Sequence, residues 1–314
     1  MERVFVTGAS GYIAGKLLSL LNDKAEIKEI VGIDIKEPAV SLKKFVFYKL
    51  DVREQFEHIL KDHGIDTVVH TAYSVPPIHD VNLMEDINVN GTKNVLHSCT
   101  RADVNQLLYT SSATAYGFHP DNDVPLIEDS LLRGNDDFTY SKNKKEIETI
   151  LSEFILQNPQ LIVTIVRPSF VVGPGFDDPL ARHLRKKFVL LPLNTQPFQF
   201  VHEDDLIEII YLLLKNGMAG AFNVGAEGTV TPKQMVSLLR NMPVYVPFSL
   251  MYLLTWLAWN LRLSFVTEFP GPALNMTRYT WVVSSEKLKR ALNYKYKYTS
   301  LEAFADFAKF VQRR

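Results

Sequence analysis

Short apolar runs alternate along the first half of the chain with segments in which apolar side chains recur every three to four residues. Residues 4–7, 30–34, 45–50, 67–71, 106–111 and 161–166 have the length and the β-branched or aromatic content of buried strands. Residues 12–21 place Ile13, Leu17, Leu18 and Leu21 on one helical face, and helical patterns recur near 54–63, 83–101 and 138–157. Such alternation predicts an α/β fold with a parallel, doubly wound sheet of Rossmann type, covered on both faces, whose ligand lies outside the carboxyl ends of the strands. After Arg167 the pattern becomes irregular, with prolines at 168, 174, 179, 192 and 197. Residues 198–201, a helix near 204–215 and residues 221–224 are expected to return to the sheet. The sequence thus divides into residues 1–174 together with 198–225, and a smaller, mostly helical region from 175–197 and 226–314. The cleft between them is the expected substrate site.

Composition removes several function classes. The 314 residues carry 34 basic and 35 acidic side chains without a long block of like charge, so no basic face is offered to nucleic acid. A single cysteine, Cys99, excludes an intrachain disulfide and suits a reducing compartment. With the first strand starting near Arg3, we expect no cleavable leader and a cytoplasmic protein. The longest apolar stretch, 244–257, is broken by Pro247, Ser249 and Thr255 and soon followed by Arg262. It falls short of the roughly 20 residues a spanning helix needs. No transmembrane span is expected, and the stretch reads as a pocket wall or subunit contact ahead of a membrane-interface element, despite Trp256 and Trp259.

Two clusters carry candidate chemistry. The first strand runs into Thr7-Gly8-x-x-Gly11-x-x-Ala14 and then a helix, with Asp34 ending the second strand. Glycine at 8 permits a tight turn, and glycine at 11 lets backbone approach a pyrophosphate. The helix N-terminus offers unpaired N–H groups to the phosphates. Asp34 is placed to accept from ribose hydroxyls and to repel a 2′-phosphate, which predicts NAD over NADP. The second cluster is Ser111-Ser112-Ala113-Thr114-Ala115-Tyr116-Gly117 after the strand at 106, with Tyr140 and Lys144 one turn apart on the next long helix. A tyrosine that removes an alcohol proton needs a nearby cation, and Lys144 supplies one; Ser112 would hydrogen-bond the substrate oxygen. The same Tyr-x-x-x-Lys spacing at Tyr12/Lys16 and Tyr211/Lys215 lacks this context and is assigned to structure.

From about residue 3 to 225 the chain resembles the extended short-chain dehydrogenase/reductases of the NAD-dependent epimerase/dehydratase family. The resemblance rests on the glycine motif, Asp51-Val52, His70-Thr71-Ala72, Asn88-Val89-Asn90-Gly91-Thr92, Ser112, Tyr140, Lys144, Arg167-Pro168 to Gly173-Pro174-Gly175, His202-x-Asp204-Asp205-Leu206 and Phe222-Asn223-Val224-Gly225. It implies an NAD site made by Gly8, Ser10, Gly11, Tyr12, Ile13, Asp34, Asp51, Val52, Thr71, Ala72, Tyr73, Asn90, Tyr140, Lys144 and Pro168. Asp51-Val52 would lie against the adenine. No metal is called for. A homodimer is also implied, through the helices near 83–101 and carrying Tyr140, with Leu83, Ile87, Leu96, Ile147, Ile150 and Leu151 as surplus apolar surface.

Four positions depart from the family pattern. Ala113-Thr114 stands where 4,6-dehydratases carry Asp-Glu, which favours an epimerase-like reaction over dehydration. Phe170 and Phe198 replace the asparagine and arginine that hold a nucleoside diphosphate, so both are candidate substrate contacts of an apolar kind. Arg182, Arg185 or Arg278 remains available to restore the charge. Three readings follow for a small-molecule substrate or ligand: an epimerase-like enzyme, a hydroxysteroid-dehydrogenase-like oxidoreductase of an apolar secondary alcohol, and a non-catalytic NAD sensor.

Overall fold

In the computed structural model, which describes residues 1–313, the alternating pattern becomes β1 (Arg3–Thr7), α1 (Tyr12–Asn22), β2 (Glu29–Asp34), β3 (Phe45–Lys49), α2 (Glu57–Asp62), β4 (Thr67–His70), α3 (Val81–Glu85), α4 (Gly91–Arg101), β5 (Gln106–Thr110), α5 (Thr139–Gln157) and β6 (Ile162–Pro168). There follow β7 (Phe170–Val172), α6 (Pro179–Leu184), β8 (Phe188–Pro192), β9 (Phe200–His202), α7 (Glu203–Lys215), β10 (Gly220–Val224), α8 (Pro232–Leu239), β11 (Met242–Val246), α9 (Phe248–Asn260), α10 (Asn275–Arg278), α11 (Glu286–Leu292) and α12 (Ser300–Gln312).

Seven parallel strands lie in the order β10-β6-β5-β4-β1-β2-β3. The direction of winding reverses between β1 and β4, and this reversal opens the crevice in which such sheets hold a ligand. On one face Leu17, Leu18 and Leu21 of α1 meet Leu206, Ile210 and Leu214 of α7; on the other Val95, Leu96 and Cys99 of α4 meet Ile147 and Leu151 of α5. Each such side chain contributes on the order of 1.5–3 kcal/mol when fully buried. The sheet is therefore a rigid base for the loops above it.

The structure corrects four expectations. Helix α7 and strand β10 (Gly220–Val224) return to the sheet as expected, but β9, reached through Phe198, pairs instead with β7 in a separate two-stranded ribbon. The smaller region also holds a second ribbon, β8 with β11, beside its helices. The segment 83–101 is not one regular helix, because a π-turn at Asp86–Asn90 separates α3 from α4. Of the six apolar residues expected to be surplus, Leu96, Ile147 and Leu151 are spent in the subunit's own core, while Leu83 is exposed. In the two set-aside Tyr-x-x-x-Lys pairs, Lys16 meets Glu203 at 2.6 Å, and Tyr211 and Lys215 both engage Glu26.

Candidate active site

The end of β1 turns through Gly8, whose φ of +70° is a left-handed conformation. A Cβ there would fall 2.7 Å from the backbone of Ala72, so the loop is closed to any larger residue. Gly11 caps α1 without a side-chain partner, which leaves the first-turn N–H groups available to an anion. Asp34 accepts from the Ser10 N–H at 3.0 Å and the Lys36 N–H at 3.1 Å. These two bonds fix the glycine loop to the end of β2, and a carboxylate has lone pairs left for two ribose hydroxyls.

Further along the crevice, Arg53 bridges Asp51 and Asp86 at 2.7 Å each, and holds the Asp51 carboxyl below its ordinary value. Val52 is buried against Gly91, where a Cβ would lie 2.7 Å from its Cγ1. The exposed Asn90 donates to Asp86 and joins this rim. The π-turn buries Asn88 instead, whose Oδ1 accepts from the Ser74 N–H at 2.8 Å. His70 is buried, and desolvation lowers its pKa to about 3, so the ring is neutral. Thr92 donates to the Asn88 carbonyl and so accepts from His70 Nε2–H, while Nδ1 accepts from Thr7. This chain of bonds ties β1, β4 and α4 beneath Thr71 and Ala72.

Ser112, buried at the exit of β5, caps a short 3₁₀ turn over Ala113–Tyr116 by accepting from the Thr114 N–H at 3.2 Å. Ser141 on α5 donates to the Thr114 carbonyl at 2.6 Å, which docks the start of α5 on that turn. Tyr140 is thereby brought beside Ser112. Burial raises the Tyr140 phenol above its ordinary value, and the Ser112 hydroxyl acts in the opposite direction. Tyr73 packs edge-on against the Tyr140 ring with centroids 5.3 Å apart and donates to its carbonyl at 3.1 Å.

Lys144 is buried, donates to the Thr110 carbonyl at 2.8 Å and to Tyr109 at 3.1 Å, and lies 3.6 Å from the centre of the Tyr73 ring. Burial pushes its pKa down to about 7, against the pull of Glu148. Glu148 in turn forms a buried fork with Arg167, whose Nη1 reaches Tyr116 at 2.7 Å. Sequence reading missed this support. Glu148 is four residues beyond Lys144 on the same helix face, a spacing that could have found it; Tyr109 and Arg167 arrive from other strands.

The packing around Tyr140 is largely aromatic. Phe138, Phe170, Trp281, Met276 and Tyr279 cluster with Tyr140, and the Phe170 and Trp281 rings are 5.0 Å apart. Phe198 is buried edge-on to Phe170 at 5.6 Å. The arginines named as candidates to restore a diphosphate site are engaged elsewhere: Arg182 with Glu268, Arg185 with Asp177, and Arg278 over Phe248.

Tyr12 Oη, Asn88 Nδ2, Thr114 Oγ1 and Ser169 Oγ are four of the eight buried side-chain polar atoms left without a hydrogen-bond partner among the described residues. They sit on the segments leaving β1, β4, β5 and β6, at the carboxyl end of the sheet. Buried orphans at one end of a crevice are what a site for a polar ligand leaves when its hydrogen-bond partner is the ligand. Together with the closed glycine loop and Asp34, they fit a dinucleotide.

Comparison with known proteins agrees. The model of the NAD dependent epimerase/dehydratase family matches residues 4–225. An uncharacterized protein of Mycobacterium tuberculosis is 27% identical over 313 residues, covering 97% of this chain and 82% of the relative. Sterol-4-alpha-carboxylate 3-dehydrogenase, decarboxylating, of Saccharomyces cerevisiae is 25% identical over 249 residues, covering 74% and 67%. The fold matches UDP-glucose 4-epimerase of Thermotoga maritima with a TM-score of 0.77 at 19% identity over 99% of each chain. With the family model spanning more than half its length, the chain belongs to the NAD dependent epimerase/dehydratase family, and its cofactor is NAD.

Proposed function

We propose that the protein is an NAD-dependent dehydrogenase or reductase of an apolar secondary alcohol or ketone. The observation that carries this reading is the apolar cluster in which Tyr140 packs with Phe138, Phe170 and Trp281, with Arg182, Arg185 and Arg278 engaged elsewhere. An unpaired diphosphate against aromatic carbon is costly, whereas an apolar ring system gains by contact with it. The yeast relative, whose name gives a sterol as its substrate, supports the same class.

NAD supplies the hydride acceptor and, when oxidised, a positive charge near the phenol. Ser112 donates to the substrate oxygen and orients it. Tyr140 takes the hydroxyl proton during oxidation and returns it during reduction. Lys144, held by Thr110 and Tyr109, has its Nζ 5.9 Å from the centre of the Tyr140 ring, where its charge, when protonated, would favour phenolate. Ala113 and Thr114 offer no carboxyl acid or base, which disfavours water elimination. The same Ser-Ala-Thr-x-Tyr-Gly run resembles the epimerases, and this keeps epimerisation as the second reading.

With purified protein and NAD, hydroxysteroid-type alcohols are expected to yield NADH, while UDP- and dTDP-sugars bind weakly or not at all. A micromolar dissociation constant for either sugar nucleotide by calorimetry overturns the apolar reading. Turnover of an alcohol to its epimer without net NADH would select the second. Assembly as a homodimer through the 83–101 segment and α5 now rests on Leu83, Ile87 and Ile150, and a monomer in sedimentation at micromolar concentration would refute it. The single buried Cys99, its thiol pushed up by burial, accords with a reducing cytoplasmic setting.

A further inference from the structure

Helix α9 is apolar on the side that a water-facing helix keeps polar. Leu250, Leu253, Leu254, Leu257 and Leu261 recur at i, i+3, i+4, i+7 and i+11, and all are 41–67% exposed. Among its own residues only Thr255 and Ala258 are buried. In a globular protein this stripe points inward. The neighbouring ribbon repeats the anomaly: the β8–β11 register sets Phe188 opposite Met242 and Leu190 opposite Val244, alternate residues share a face, and all four are exposed. Leu190 and Val246 line a cavity of about 370 Å³ with Leu254, Leu257 and Leu261, so the ribbon and the helix form one continuous surface. Trp256, Phe265 and Val266 extend it.

Charge says what this surface faces. Segments 182–193 and 240–267 carry Arg182, Arg185, Lys186, Lys187, Arg240 and Arg262 and no Asp or Glu, in a chain of net charge −1, and the acid that lines the cavity, Glu268, is paired with Arg182. Arg182 and Arg185 have carboxylate partners, but Lys186, Lys187, Arg240 and Arg262 form no ion pair among the described residues. Apolar and aromatic side chains rimmed by unpaired cations match a bilayer interface that bears anionic headgroups. No helix among the described residues is long and apolar enough to cross a membrane.

We propose that α9 and the β8–β11 ribbon dock this protein on the surface of an anionic bilayer, lying in the interface without spanning it. Docking requires neither NAD nor turnover, so its test is independent of the proposed reaction. In flotation with phosphatidylcholine vesicles, adding phosphatidylserine is expected to carry the full chain upward, and salt to reduce the effect. Lys186→Glu with Lys187→Glu should weaken binding to the anionic vesicles by at least about tenfold. Phe188→Glu, Leu253→Glu and Phe265→Glu together should abolish it while NAD titration stays normal, since all three side chains point to solvent. Absence of flotation with any vesicle, or flotation that the triple variant leaves intact, overturns the proposal. It is equally overturned if the unmutated chain ignores vesicles but sediments as a dimer that the triple variant dissociates, because the face is then covered by a second copy.

Discussion

Tyr140→Phe is expected to abolish turnover, with a loss of about 10²- to 10⁴-fold in kcat, while leaving NAD affinity nearly unchanged. The substitution removes one oxygen and retains the ring that packs edge-on against Tyr73. The Tyr140 carbonyl still accepts from Tyr73, and Lys144 keeps its bonds to Thr110 and Tyr109. Geometry is therefore preserved and only proton transfer is lost. Ser112→Ala should cost less, since it removes a donor to the substrate oxygen and leaves the base in place. Turnover and NAD titration on the two variants check this, and retained activity in Tyr140→Phe would remove the phenol from the mechanism.

The largest stability effect is expected at Glu148. Arg167 donates from Nε and Nη2 to its carboxylate, at 2.6–3.0 Å, in a site where both side chains are almost wholly buried. Burial works against the Arg167 charge, and Glu148 together with Tyr116 more than offsets it. Glu148→Ala leaves that guanidinium unpaired and should cost about 3–5 kcal/mol. Replacing both partners by apolar residues, Glu148→Leu with Arg167→Met, removes the stranded charge and should recover much of the loss. Denaturant melts of the single and double variants measure the difference. A single variant that melts like the unmutated protein would show that the pair contributes nothing to stability.

The fork also explains why the supporting cast was hard to read. Tyr140, Lys144 and Glu148 share one face of α5, a local relation written in their spacing. Arg167 on β6, Tyr109 on β5 and Asn223 on β10, which accepts from Tyr116 at 2.8 Å, join them only because the parallel sheet sets those strands side by side. The same holds for Trp281, which meets Phe170 from the C-terminal region. Residues 198–201 carried a strand signal that was correct in kind, but a short apolar run does not specify which partner it will pair with.

By itself the sequence determined the alternation of strand and helix, the parallel sheet, the glycine loop with Asp34, and the serine, tyrosine and lysine expected at the carboxyl ends of the strands. Each is written in local periodicity or in spacing within a single turn, where the chain's own geometry fixes the neighbours. The tertiary structure decided the rest: that the π-turn buries Asn88 and leaves Asn90 at the rim, that Leu96, Ile147 and Leu151 serve the core, and that the leucine stripe of α9 faces outward. A hydrophobic pattern gives a helix a preferred face, but which surface covers that face depends on contacts between distant segments, and those exist only once the chain has folded.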